Sequence, residues 1–452
     1  LATPMAAHVA IIGNGIAGIT AARFLRKRTD ARITVLSDET DYPYSRTALM
    51  YLYMGHLRFE DVKLYEDFFW EKNEIDLVRD YVQAVDPDRQ RLTLRDGDPI
   101  AYDALLIASG SKPRFIGFSG EDLEGVQGLY GMDDLRRMEA RSEGIERAIV
   151  VGGGLIGIEM TEMLRSRHVP VTFLVRETNY FDVVLPDEEA RLLNDVIREE
   201  GVDLRLQTEL DRIVGDEDGR VRAVRTASGE EIPTEFVGMT IGVTPNVEFL
   251  EGSSIETDRG VLVDEHLRTS APNVYAAGDC TQFRREGIGH REIDQLWYTA
   301  RAEGRAAARI ISGSDEPYRS GVFFNSAKFY NVEYQVYGDV KSELAEGEAT
   351  LCWRHPEKNR LIRVNYTKED HRVIGFNLLG VRFRHAVCER WIREGRTLEY
   401  VLPRLSEANF DPEFADRHEE ALIDLYNERY PDSALAHPRP AGAAWFDRIF
   451  ST

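Results

Sequence analysis

The sequence predicts an α/β fold, and three observations predict it. The apolar run His8–Ile12 ends in Gly13-Asn14-Gly15-Ile16-Ala17-Gly18 and enters a helical pattern, with Ile16, Ile19, Ala22 and Phe24-Leu25 at helical spacing, before a second strand over 32–36. The same order returns with Ala148–Val151, then Gly152-Gly153-Gly154-Leu155-Ile156-Gly157, a helix through about Arg167 and a strand over 169–175. From about Gly321 the pattern turns strand-rich and then helical. Together these give two Rossmann-like dinucleotide-binding domains and a C-terminal α+β domain.

The remaining elements fit between these landmarks. A helical stretch over 65–72 and β-rich segments over 78–93 and 105–108 separate the two repeats. After the second repeat, 201–225 reads as hairpins, with turns at Asp218-Gly219 and Ser228-Gly229. Strands are expected over 334–337, 349–353, 361–366 and 373–379, then helices over 384–393 and 413–430. The Pro-, Gly- and His-containing tail reads as loop, closed by an apolar Trp445-Phe446 anchor.

Composition narrows the function classes. The 452 residues have room for about three domains, and 43% hydrophobic with 30% charged residues is the balance of a folded globular chain. No run approaches the ~18 apolar residues of a membrane span, and the mean hydropathy is -0.36. Residues 1–7 lack the apolar core behind a basic start that marks a secretion signal, so a cytoplasmic location is the expectation. Asp and Glu total 78 against 56 Lys and Arg, a net charge of -22, and nucleic acid is therefore not an expected partner. The three cysteines, Cys280, Cys352 and Cys388, form no CxxC or CxxxxC spacing; neither a metal site nor a vicinal redox disulfide is encoded.

Glycine explains the chemistry of the two turns. Gly13 permits the tight turn out of the strand, Gly15 lets backbone approach a pyrophosphate, and Gly18 lets helix and strand pack closely. The helix N-terminus then faces the anion with unpaired N–H groups and a partial positive charge. Gly152, Gly154 and Gly157 repeat these roles.

At these residues the chain resembles the two-dinucleotide-binding-domain flavoproteins, the pyridine nucleotide–disulfide oxidoreductase class. Four more segments carry the likeness in order: Leu106-Ile107-Ala108-Ser109-Gly110, Gly242-Val243-Thr244-Pro245-Asn246, Val263-Asp264 with Thr269-Ser270, and Val274-Tyr275-Ala276-Ala277-Gly278-Asp279. The likeness is good over about 8–320 and looser beyond. It implies an NAD(P)H domain inserted in an FAD domain: 1–115 and 246–320 for FAD, 116–245 for NAD(P)H, and 321–452 as a C-terminal interface domain. It places FAD against Gly13, Gly15, Ile16, Ala17, Gly18, Ala108, Ser109, Gly110 and Gly278. Asp279 would bond the ribityl chain, a role compatible with capping a helix, and Leu296-Trp297 would start a helix facing the flavin. NAD(P)H would lie on Gly152, Gly154, Leu155, Ile156, Gly157 and Gly242, with Glu159 toward the nicotinamide.

Several positions tune that picture. Asp38 and Glu39 follow the second strand, where an acid would hold the adenosine ribose of FAD, and Glu39 is favoured. The matching place in the second repeat is Val175, followed by Arg176, which leans slightly toward NADPH, while Glu177 pulls toward NADH. Pro43-Tyr44-Ser45-Arg46 is similar to the stretch that ferredoxin- and rubredoxin-reductase-like members lay along the flavin, with Arg46 as an FAD contact and Tyr51 where those members have a Lys. Lys328 lies in a C-terminal stretch for which two roles are open, a dimer face or a bearing on the flavin. The expected function is transfer of electrons from NAD(P)H through FAD to an unnamed acceptor, a small redox protein such as a ferredoxin or rubredoxin. The alternative is a redox-sensing flavoprotein whose main role is to bind a partner protein.

Overall fold

The computed structural model describes residues 7–411 and 416–437 and divides into two compact units, 1–178 with 201–321 and 179–200 with 322–452. The Trp445-Phe446 anchor lies outside the described residues.

The first unit holds two all-parallel sheets. Their inner strands are short and mostly apolar, as burial on both faces requires, while the edge strands Ile75–Arg79 and Asp203–Arg205 carry charged residues. The first sheet runs in the order Val274–Ala276, Ala104–Ile107, His8–Ile12, Arg32–Ser37, Ile75–Arg79. The second runs Asp203–Arg205, Val171–Leu174, Ala148–Val151, Phe236–Met239, Val126–Gln127. In each sheet the strand before the glycine turn is central, so the turn opens at the carboxyl ends of the strands, where ligands of open α/β sheets bind. The chain passes between the sheets along Ser111–Pro113 and Val243–Pro245, which pair antiparallel. One expectation is corrected: Asp203–Arg205 joins the second parallel sheet, and only Leu210–Gly215, Val221–Thr226 and Glu231–Pro233 form the antiparallel meander.

The helix Ile16–Arg26 lies against Trp297–Ile311 with no side chain between them at the crossing. A Cβ on Gly304 would stand 2.2 Å from the Ala17 carbonyl oxygen. A Cβ on Gly13, whose φ is +107°, would stand 2.1 Å from the carbonyl oxygen of Ala108. Backbone thus touches backbone on both flanks of the first turn.

The second unit is built on a five-stranded antiparallel sheet, Phe324–Phe329, Val332–Gly338, Val373–Leu379, Leu361–Thr367, Glu348–Arg354, with the helices His385–Arg393 and Glu419–Arg429 packed in its core. The helix expected over 413–430 runs, among the described residues, over Glu419–Arg429, with His418 as its cap. The segment 179–200 belongs to this unit through a buried ion pair. The Arg363 guanidinium donates to Glu189 from Nε at 2.6 Å and Nη2 at 2.8 Å, and to Glu188 at 2.7 Å. Asn377 donates to Glu189 as well, and Tyr180 meets Phe329 edge-on at 5.9 Å between centroids.

Glu189 is fully buried, and its replacement by Ala would leave the Arg363 guanidinium in the core without its main partner. Glu189→Ala should therefore lower the unfolding free energy by about 3–5 kcal/mol in chemical denaturation. A loss below about 1 kcal/mol would place the pair among screened surface contacts.

Candidate dinucleotide and redox site

The first glycine turn offers an open cradle beside a closed one. Beyond Gly15 there is nothing within 4 Å of where a Cβ would point, whereas Gly18 is pressed to 2.0 Å from the carbonyl oxygen of Gly13. Gly154 and Gly157 repeat the contrast, the first open and the second 2.3 Å from the Gly152 carbonyl oxygen. Each open position is the residue before the first helical turn, whose leading N–H groups lack intrahelical partners. Two anion cradles of pyrophosphate type result, and the residues present fit FAD at one and a nicotinamide dinucleotide at the other. Ile16 and Ala17, like Leu155 and Ile156, are the opening residues of these helices.

Between the first turn and the crossing segments lies a chain of mostly half-buried polar groups. The Glu39 carboxylate accepts from Arg46 Nη2 at 2.7 Å, from the Tyr44 hydroxyl and from the Met132 N–H at 2.6 Å. The neighbouring guanidinium holds Glu39 below the usual carboxylate range despite its burial, which works the other way. Glu39 is thus committed to Arg46, while Asp38 is exposed and faces Arg95 at 3.7 Å. Arg46 lies over the Tyr130 ring, 4.8 Å from its centroid, and donates to the Tyr130 carbonyl. The Tyr130 hydroxyl donates to Asp279 at 3.0 Å and accepts the Ser111 N–H at 2.9 Å. Burial pushes the Asp279 carboxyl up, against the hydrogen bond from Tyr130 and the charge of Arg46.

The structure brings most of the named first-unit residues to this place. The Ser109 hydroxyl donates to the carbonyl of Asn246 at 2.6 Å, tying the two crossing segments together next to Ala108 and Gly110. Gly110, with φ +70°, leaves room for the Tyr130 hydroxyl, which would stand 2.8 Å from a Cβ there. Gly278 donates its N–H to Glu303 at 2.6 Å, and burial raises that carboxyl well above its ordinary range. Leu296 caps the helix that Trp297 begins, and the preceding Gln295 donates to Ser111 at 2.9 Å. Tyr51 stacks on His56.

At the second turn, Gly242, with φ +116°, also has open space where a Cβ would point. Glu159 lies on the helix after the turn, and burial, helped by the charge of Glu162, pushes its carboxyl up to about 7. Val175 is fully buried and faces Gly153. Arg176 is exposed and donates to Glu177 at 2.6 Å. The Glu177 carboxylate lies 3.7 Å from where a Cβ on Gly153 would be. Sequence reading named Glu177 only as a counterweight, and it missed Tyr130 and Glu303 altogether. Tyr130 sits in an unremarkable turn, and Glu303 reads as one polar residue in an amphipathic helix.

The thiols are placed for packing. Cys280 is fully buried and its Sγ–H points at the Ile107 carbonyl at 3.5 Å, with burial raising the thiol. Burial pushes Cys352 up to about 12 and raises Cys388 as well. None has the lowered pKa of a reactive cysteine. No three His, Cys, Asp or Glu side chains among the described residues form a group able to hold a metal.

Two outcomes follow from this geometry. Asp279→Ala should lower FAD retention about tenfold or more, since losing a charged hydrogen-bond partner is worth ~1.5–3 kcal/mol, while nicotinamide nucleotide still binds; unchanged FAD content would reduce Asp279 to a structural group. Replacing Cys280, Cys352 and Cys388 together by Ser should leave NAD(P)H-driven ferricyanide reduction within about threefold, ~0.7 kcal/mol of barrier. Loss of that activity in a variant that keeps its FAD would bring a thiol into the mechanism.

A family model described as pyridine nucleotide-disulphide oxidoreductase matches residues 7–304. A 5,5'-dehydrodivanillate O-demethylase ferredoxin reductase subunit from Sphingobium sp. is 31% identical over 80% of this chain and 88% of its own length. A nitrite reductase [NAD(P)H] from Bacillus subtilis is 28% identical over 74% of this chain, which spans 41% of that longer protein. The solved structure of an NAD-dependent persulfide reductase from A. fulgidus superposes with a TM-score of 0.80 at 25% identity, covering 94% of this chain and 84% of that one. No described helix is long and apolar enough to cross a membrane. The chain belongs to the pyridine nucleotide-disulphide oxidoreductase family and is a flavoprotein oxidoreductase that works with FAD and NAD(P)H.

Proposed function

We propose that the chain takes hydride from NADH and passes the electrons from FAD to a small redox protein of the ferredoxin or rubredoxin kind. The observation that carries this reading is the pairing of two open glycine cradles in one unit whose only thiol, Cys280, is fully buried. Electrons then leave the flavin directly and not through a dithiol. Relatives named as ferredoxin reductase components support the class of acceptor.

FAD, when bound, supplies a ring that accepts two electrons with a proton and releases them singly. The protein's part is binding and electrostatics. The turn Gly13 to Gly18 would hold the FAD pyrophosphate, and Arg46 would add a cation beside it. Asp279 would accept from the ribityl hydroxyls. The N-terminus of the helix begun by Trp297 would face the ring and favour negative charge on it. The turn Gly152 to Gly157 would hold the pyrophosphate of the nicotinamide dinucleotide. Glu159, with its carboxyl raised to about 7, would bring a group that changes charge near neutral pH to the nicotinamide end.

We assign NADH as the donor. Arg176, the basis of the lean to NADPH, has its guanidinium on Glu177. The Glu177 carboxylate beside Gly153 can accept from ribose hydroxyls and repels a 2′-phosphate.

Anaerobic assays on the FAD-loaded protein test the reading, with a [2Fe–2S] ferredoxin, a rubredoxin and ferricyanide as acceptors. Turnover with at least one protein acceptor at rates comparable to ferricyanide is expected. Reduction of ferricyanide alone, with a complex that forms only in one redox state, would favour the redox-sensing alternative. Glu177→Ala should raise the KM for NADH about tenfold and leave that for NADPH unchanged or lower. A flat ratio would place the adenosine ribose away from Glu177.

A further inference from the structure

The second unit contains a cavity of about 330 Å³ that none of the redox chemistry uses. Its apolar wall comes from Ile362, Val381, Phe383 and Leu405, and Phe410 stands half-exposed at the rim. Two polar side chains on the lining are deeply buried: Glu419 is 6% exposed and Asn409 is 9% exposed. Neither side chain has a hydrogen-bond or ion-pair partner among the described residues. Polar groups of this kind on a cavity wall are open to a hydrogen-bonding ligand. Glu419 begins an eleven-residue helix, whose dipole favours a carboxyl there but supplies no side-chain partner.

The charges around the cavity specify what would complete it. Arg382 is engaged by Glu333 at 3.1 Å and lies over the Phe410 ring at 4.2 Å. Arg360 is engaged by Asp416. With these pairs closed, the carboxyls of Glu419 and Asp411 are left on the lining without a cation among the described residues. His418 adds none: burial, with Arg360 nearby, lowers its imidazole to about 4, and its ring lies tilted against that of Trp353, 4.6 Å between centroids. The described carboxyl and imidazole groups do not converge as a metal cage. What fits is a compact molecule with an apolar ring and a positively charged nitrogen group rich in N–H donors.

We propose that this cavity binds a small cyclic or aromatic amine or amidine, whose N–H groups bond Glu419 and Asn409 and whose ring lies against Phe383 and Phe410. The Glu419 carboxyl neutralises the ligand's charge, and the Asn409 amide oxygen takes a second N–H. Phe410, next to the guanidinium of Arg382, forms the side of the cavity nearest solvent.

The test uses the full FAD-loaded chain saturated with NAD⁺, titrated calorimetrically with benzamidine and benzylamine, and with benzoate as a ring of opposite charge. Saturable binding of at least one amine at one site is expected, with no binding of benzoate. Glu419→Gln should weaken the amine about tenfold or more, since it removes a charge-assisted bond. Phe410→Ala, at a half-exposed position, should weaken it severalfold, and it provides the decisive comparison if Glu419→Gln does not fold. Absence of saturable binding to the wild type, benzoate binding as tight as the amines, or an amine affinity unchanged by the variants that fold would each overturn the proposal.

Discussion

The first unit depends on backbone meeting backbone without side chains between. At Gly13 the turn lies against Ala108, and at Gly304 the late helix lies against Ala17. A Cβ at either point would fall nearly on a carbonyl oxygen, so the packing tolerates only glycine there. Helix, turn and crossing strand are thereby locked at one spacing. The cradle at Gly15 and the helix start at Leu296 inherit fixed positions from those contacts. A binding loop held this way loses little conformational freedom when its ligand arrives.

Electrostatics supply the second layer of order. Glu39 comes from the first βαβ unit, Tyr130 and Met132 from the segment leading into the second, and Asp279 from the return to the first sheet. Arg46 and the Tyr130 hydroxyl join them into one connected set. Each carboxylate in the set has a partner, which is what allows charges to sit in a half-buried cleft. Behind them burial raises the Glu303 carboxyl well above its ordinary range, and this carboxyl accepts the Gly278 N–H, so the backbone beside Asp279 is fixed.

Much of this was legible in the sequence because it rests on local rules. Strand, glycine turn and helix are contiguous, so both cradles and both parallel sheets could be read from spacing alone. Asp279 and the crossing segments were found by likeness to a family. Contacts that join distant segments were not legible. Nothing near Glu39 shows that its carboxylate turns to Arg46 and to Met132, 93 residues on. Burial of Val175 is a matter of where the strand ends, and that moved the acid beside the second turn to Glu177. Asp203–Arg205 was read as part of a hairpin because its parallel partner, Val171–Leu174, is separated from it by a helix. The link between Glu189 and Arg363 spans 174 residues and leaves no local trace.

The central claim is that one flavin, fed by one nicotinamide nucleotide and coupled to no dithiol, carries the electrons. An anaerobic titration of the FAD-loaded protein with NADH, followed by flavin absorbance, tests it most directly. The account predicts complete bleaching with about one equivalent of NADH per flavin and no long-wavelength thiolate-to-flavin band, because hydride transfer fills the only two-electron site. A requirement for about two equivalents, with that band present at the midpoint, would reveal a redox-active disulfide and contradict it.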